Sequence, residues 1–258
     1  MNPIKRIGYV FLSYALGAFM SQPLMALPTI NWLDLAKNIE LSGAGGWNWM
    51  NVGNSYFVIS PYETDANFNN SVSHAPIWEL GVGYSLLKDQ LSSRDYFNAL
   101  MIGLNVYRNS ESVNGHVWQY DLAQFNNYSA HVPINNTRLM IDAKPQLMTW
   151  KMFSPYLVLG VGITWNTAAY YETVIGSGVD PASSFGLTNK TTAFAAYDLG
   201  AGLRIDITDR LTATAEYLYT YLGHAASSST PNNTISLQTA PTFNIYGQAA
   251  LFGLAWKF

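Results

Sequence analysis

The chain has 258 residues; 49% are hydrophobic, 14% aromatic and only 11% charged, the formal net charge is −3, and there is no cysteine. An ordinary soluble domain carries about 25% charged residues, so much of this surface is not built to face water. The weak negative charge excludes a nucleic-acid-binding surface, and the lack of cysteine excludes disulfides, zinc ribbons and a lipidated export site.

In chain order, Lys5 and Arg6 precede an apolar stretch over residues 7–20, followed by Gln22-Pro23-Leu24-Met25-Ala26. A basic start, a short apolar run and a small residue at the break predict a signal peptide over 1–26, with Leu27 opening the mature chain. The run is short for a spanning helix of about 20 residues. Residues 27–37 form an N-terminal segment in which Ile30, Trp32, Leu33 and Ala36 fit either a short amphipathic helix or an ordered tail.

The remainder sorts into eight segments of period-two alternation, the pattern of strands with two different faces. They lie at 38–49, 77–86, 96–107, 138–147, 156–166, 195–206, 211–221 and from about 243 to the end. One face carries residues such as Leu80, Val82, Leu104, Ile141, Leu159, Ile163, Leu199 and Leu254. The opposite face carries small, polar and charged residues. Each segment is close to the roughly 9–11 residues a tilted strand needs to cross a bilayer. No apolar run beyond the signal reaches about 18 residues, so no spanning helix is available.

Connections alternate in length. Residues 88–95, 151–154 and 208–210 make short links, whereas 50–76, 108–137, 172–190 and 224–240 read as long loops. Short turns on one side and long loops on the other are the pattern of transmembrane barrels, with both termini on the short-turn side. Aromatics then fall into two belts, Trp47, Trp49, Trp78, Trp165, Tyr219, Tyr221 and Tyr246 near one interface, and Tyr96, Trp150, Tyr156, Trp256 and Phe258 near the other. The final strand keeps Phe252, Leu254, Trp256 and Phe258 on one face. A strand that is apolar to its last residue suits a closed barrel in lipid, where no edge is left unpaired. The fold class expected is all-β: an eight-stranded antiparallel, up-and-down transmembrane β-barrel over 27–258, with 27–37 on the periplasmic side.

These pieces together, the signal, eight alternating segments, four long connections and the ending Gly253, Trp256, Phe258, resemble the small outer-membrane β-barrel superfamily of the OmpA transmembrane domain, OmpX, OmpW and the opacity proteins. The resemblance implies the bacterial outer membrane as location, outer-membrane lipid and lipopolysaccharide as surroundings, and the barrel-assembly machinery as the reader of Gly253, Trp256 and Phe258. Leu251 departs from that signal, which usually has a polar residue there.

The inward faces place Glu40, Glu79, Arg138, Asp142, Lys144, Asp198, Arg204 and Glu216, with Asp206, inside the barrel. An eight-stranded barrel is only wide enough for side chains to fill it, so the expected arrangement is a network of paired charges that plugs the lumen. The alternative is a small porin or transporter with a narrow lumen lined by the same groups. Ser129 and His131 share a face but lack an evident acidic orienter, so no catalytic triad is expected, nor is a metal site or cofactor. The four long connections are rich in Asn, Ser, Tyr and Phe, a composition suited to recognition surfaces. A surface ligand would therefore bind these extracellular loops. Glu63, Asp65, Glu111, Asp121, Glu172 and Asp180 outnumber basic residues there and disfavour a polyanionic partner.

Overall fold

The computed structural model describes residues 38–60, 63–69, 73–86, 98–147, 149–175, 185–229 and 237–258. The expected signal peptide, the segment 27–37 and Tyr96 lie outside the described residues.

Ten strands run in chain order: β1 Ile39–Val52, β2 Ser55–Ser60, β3 Glu63–Asn69, β4 Ser73–Leu86, β5 Ala99–Trp118, β6 Asn126–Gln146, β7 Phe153–Val174, β8 Phe185–Asp206, β9 Leu211–Ala226 and β10 Thr242–Lys257. Eight of them close a ring of antiparallel pairs, β5-β4-β1-β10-β9-β8-β7-β6, completed by β6 against β5. The chain's first and last ring strands close on each other from Glu40↔Lys257 to Val52↔Ile245. Each of the eight ring strands is thereby paired on both sides, as a strand in hydrocarbon requires. Alternation sorts the side chains by medium. Leu41, Leu80, Val82, Leu104, Ile141, Leu159, Val161, Leu199, Phe252 and Leu254 face out and are exposed, while Glu40, Glu79, Asn105, Asp142, Lys144, Asp198 and Glu216 face in and are buried.

The long connections differ from the sequence expectation. Residues 108–137 are mostly strand: β5 continues to Trp118, turns through two short 3-10 segments at Gln119–Asp121 and Ala123–Phe125, and returns as β6 from Asn126. Their pairing is continuous up to Val117↔Tyr128. Residues 50–76 hold the β2–β3 hairpin, which docks on the upper part of β5 through Ala66↔Trp118 to Asn69↔Gly115. The free edge of β2 is covered: Val58 donates its N–H to the Thr239 hydroxyl at 2.8 Å and accepts from the Gln238 N–H at 3.0 Å. That removes a template for edge-to-edge association.

Above Tyr197↔Tyr221 the ladder between β8 and β9 stops, while β8 stays with β7 and β9 with β10. Side chains satisfy the carbonyls released there. The Asn166 amide donates to Leu222 O at 2.7 Å and His224 O at 3.0 Å, and the Thr192 hydroxyl donates to His224 O at 3.0 Å. Gly223 turns the strand with φ +70°, and Phe194 lies where a side chain would stand. A glycine takes this conformation without steric cost.

Candidate functional site: a barrel interior in two storeys

The lower storey lies within the membrane band. Arg204 on β8 reaches across to Glu40 on β1 with two parallel hydrogen bonds of 3.0 and 2.7 Å. It also bonds Asp206 at 3.1 Å and the Thr212 hydroxyl at 2.8 Å. Bidentate charged pairs of this type fix geometry as well as energy. Next, Lys144 on β6 forms a hydrogen-bonded ion pair with Glu216 on β9 and stands 4.0 Å from Glu79 on β4. Tyr156 donates to the same Glu216 carboxylate at 2.6 Å. Tyr156 belongs to the lumen and not to the inner aromatic belt expected of it, because it keeps the inward parity of Val158. Gly202 leaves it room: a β-carbon there would sit 2.4 Å from the Tyr156 ring.

Further up, Arg138 is fully buried, 3.8 Å from Asp198 and 4.3 Å above the Tyr107 ring. Tyr107 donates to Asp142 at 3.0 Å, and the Asn105 amide bonds the same carboxylate. Asp142 and Asp198 sit on either side of Gly160, whose missing side chain lets both lean over β7. Eight of the nine charged residues singled out in the sequence are therefore buried in one interior, three cations among five carboxylates, whereas Asp206 stands at the open end and is exposed. The enclosed space left beside Glu40, Glu79, Lys144, Tyr156 and Glu216 measures about 30 Å³, room for a water or two. A wider vestibule of about 710 Å³ opens beneath it at the end where Asn38, Ser154, Asp206, Asp209 and Lys257 lie.

Asparagines separate the storeys. Asn136 bonds Thr164 and Asn166 at 2.6 Å each, while Asn48 and Asn109 both donate to Glu111. Above them the interior turns apolar. Met50, Phe57, Val113, Val117, Ala130, Val132, Ile134, Ala168, Tyr170, Leu187, Leu222, Phe243 and Ile245 form one buried cluster. Tyr170 meets Phe57 edge-on at 5.5 Å and stacks on Phe243 at 6.3 Å. Burial, with the Glu172 carboxylate beside it, raises the Tyr170 hydroxyl well above its ordinary pKa, so it donates to Glu172 at 2.6 Å. Each fully buried apolar side chain contributes roughly 1.5–3 kcal/mol.

This upper storey corrects the reading of the loops. Asp65, Glu111 and Glu172 are buried at 1%, 4% and 6% exposure and do not form an acidic outer surface, whereas Asp121 is exposed. Glu63 has no described side chain and Asp180 lies outside the described residues. Along β5 and β6 the outward face carries Ser110, Ser112, Asn114, Asn135 and His131, beside exposed Tyr120, Phe125 and Tyr171. His131 bonds Asn114 at 2.8 Å and the Ser129 hydroxyl donates to Gly115 O at 3.4 Å, so neither is engaged with the other. Among the described residues no group of three His, Cys, Asp or Glu side chains is arranged to hold a metal ion.

At the last strand, Trp256 and Phe258 face out, 46% and 56% exposed. Gly253 faces in, where a β-carbon would meet Ala44 and Thr214 at 2.8 Å.

A closed ring of eight antiparallel strands with a lipid-compatible outside and a charged inside defines a transmembrane β-barrel. The model of the outer membrane protein beta-barrel domain matches residues 45–258. The chain belongs to that family, which places it in the bacterial outer membrane. No curated protein matches it. Among solved structures, it is similar to the outer membrane protease OmpT from Escherichia coli, with 11% identity and a TM-score of 0.49 over 86% of this chain and 97% of that one. It is also similar to OprG from Pseudomonas aeruginosa, with 14% identity and a TM-score of 0.46 over 86% and 97%. Neisserial surface protein A matches at 13% identity and a TM-score of 0.38, again over 86% and 97%.

Proposed function

We propose that this protein is a sealed barrel that holds a β-structured interaction module above the outer membrane, and that it acts by binding at the cell surface, not by catalysis or by passing solutes. The observation that carries this reading is the apolar cluster seated over the charged lumen. Ions would have to cross a packed charge network and then an oily plug. Lumen-facing Arg138, Lys144 and Arg204 escape the ~2–4 kcal/mol that a cation pays at the lipid midplane, and each has a carboxylate beside it. The extension above the plug carries accessible polar surface on a rigid scaffold of the kind that positions binding residues. In the same reading Gly253, Trp256 and Phe258 are the signal taken up by the barrel-assembly machinery.

Planar-bilayer recording tests the seal: the purified barrel is expected to give little conductance. Large, stable single-channel currents would favour a narrow porin instead, entered from the vestibule that reaches Arg204. Shortening 110–133 to a tight turn tests the module, and is expected to leave a heat-shifting barrel that has lost cell-surface binding. Full retention of surface binding by that variant would sink the proposal.

A further inference from the structure

The outer wall of the barrel carries a trough that its folding does not require. Along the lipid face of β1, Leu41 and Trp47 bracket two positions without side chains, Gly43 and Gly45. Ridges flank them on both sides: Trp78 and Leu80 on β4, Phe252 and Leu254 on β10. The open space between these ridges measures about 730 Å³ and is lined almost wholly by apolar surface.

Glycine weakens a strand, and in a strand interior it often marks a place where something approaches the backbone closely. At Gly81, Gly160, Gly162, Gly200, Gly202 and Gly253 the approaching atoms belong to this chain, since a β-carbon would come within 3.0 Å of them. Gly43 and Gly45 differ. A β-carbon at Gly43 would meet Leu80 at an ordinary 3.6 Å, and one at Gly45 would have only Ile77 O at 3.9 Å. Neither has the positive φ that favours glycine. The trough is therefore open although side chains fit in it, and no close approach by this chain calls for glycine at either position.

A second observation concerns charge. Gly45 pairs with Trp78 and with Phe252, and Trp78 pairs with Arg108 on β5. Arg108, Trp78, Gly45 and Phe252 thus follow one another along a hydrogen-bonded row over β5, β4, β1 and β10, with Arg108 and Trp78 at its upper end. Arg108 points outward and is exposed, with Tyr107 on the opposite, inward face. Among the described residues it has no ion-pair partner. A cation at this height meets the headgroup layer, where anionic groups attract it.

We propose that the β4-β1-β10 trough with Arg108 is a specific site for a phosphorylated lipid of the outer leaflet, lipopolysaccharide. One acyl chain lies over Gly43 and Gly45 between the two ridges, and the Trp78 ring stands between that chain and Arg108, whose guanidinium takes a headgroup phosphate. The hydrocarbon medium selects an acyl chain for the trough, and the unpaired cation selects a phosphate at its upper end. This site is on the outside of the barrel and holds whether or not the lumen conducts.

The test measures lipopolysaccharide retained by the purified, heat-shifting barrel by native mass spectrometry, in wild type, Gly45→Leu, Arg108→Gln and, as a control on the lipid face away from the β4-β1-β10 trough, Ala201→Leu. Wild type and Ala201→Leu are expected to retain the lipid. Gly45→Leu is expected to lose it, and Arg108→Gln to bind about fivefold more weakly, the effect of one cation near an anionic lipid surface. Gly43→Leu repeats the measurement if Gly45→Leu does not reach the folded state. Dephosphorylated lipid should bind wild type and Arg108→Gln equally. Equal retention of intact lipid by wild type and both glycine variants overturns the proposal, as does a wild-type barrel that retains none. It is also overturned if the trough proves to join two copies, seen as a wild-type dimer that Gly45→Leu splits.

Discussion

The same three strands have opposite polarity at their two ends. In the membrane band, β5, β6 and β7 put Leu104, Ile141 and Val161 outside and Asn105, Asp142 and Thr164 inside. Above the belt they put Ser112, Asn135 and Thr173 outside and Val113, Ile134 and Tyr170 inside. The backbone ladder does not change across this boundary, as β5 and β6 remain paired throughout. Only the solvent changes. Lipid takes apolar side chains and leaves the interior to charges, and water reverses the assignment because apolar surface is then driven inward. Two kinds of interior follow, one held by paired charges and one by packing.

The comparison can be broken most severely in the lower storey. Arg204→Ala leaves Glu40 buried without its bidentate partner, and is expected to cost about 3–5 kcal/mol, read as a lower urea midpoint for the barrel in lipid. Arg204→Leu combined with Glu40→Leu should cost less than Arg204→Ala alone. If it costs more, the pair contributes net stability and the lower storey is held by more than mutual neutralisation.

In the upper storey, Ile134→Ala is expected to cost about 2–5 kcal/mol, with a different readout. The extension should become sensitive to protease at the outer surface while the heat-dependent gel shift of the barrel persists. A variant that loses both together would show that the two interiors unfold as one.

The boundary itself gives the smallest effects. Leu159→Arg, on the lipid face near the middle of β7, should cost roughly 2–4 kcal/mol. Ser112→Arg, on the outward face above the belt, should fall within about 0.5 kcal/mol of wild type. Equal costs in a folding titration would mean that the membrane surface does not lie at the Trp78–Arg108 row.

Much of this was legible in the chain. Alternation in the membrane band is strong because an apolar outer face tolerates few exceptions, so Leu80, Val82 and Leu159 and their inward neighbours could be assigned by parity. The same parity placed Glu40, Arg138, Lys144 and Glu216 on the inward face. The extension was read as loops because its apolar residues change face: even-numbered Leu104 and Val106 give way to odd-numbered Val113 and Val117, and the returning strand alternates as Tyr128, Ala130, Val132, Ile134. That pattern is a strand signal of opposite parity, and it becomes recognisable once a barrel that leaves the membrane is considered.

The sequence by itself determined the number of ring strands and the alternation of faces along the membrane band, because period two and the bilayer thickness are local constraints. Tertiary structure alone decided the partners. Arg204 and Glu40 are 164 residues apart, and no local rule links them. Ring closure brings β1, β10, β9 and β8 side by side, and the narrow interior of an eight-stranded barrel then leaves each charge few groups to meet. It also decided that a trough would open over Gly43 and Gly45, since its walls come from three strands that only closure makes neighbours.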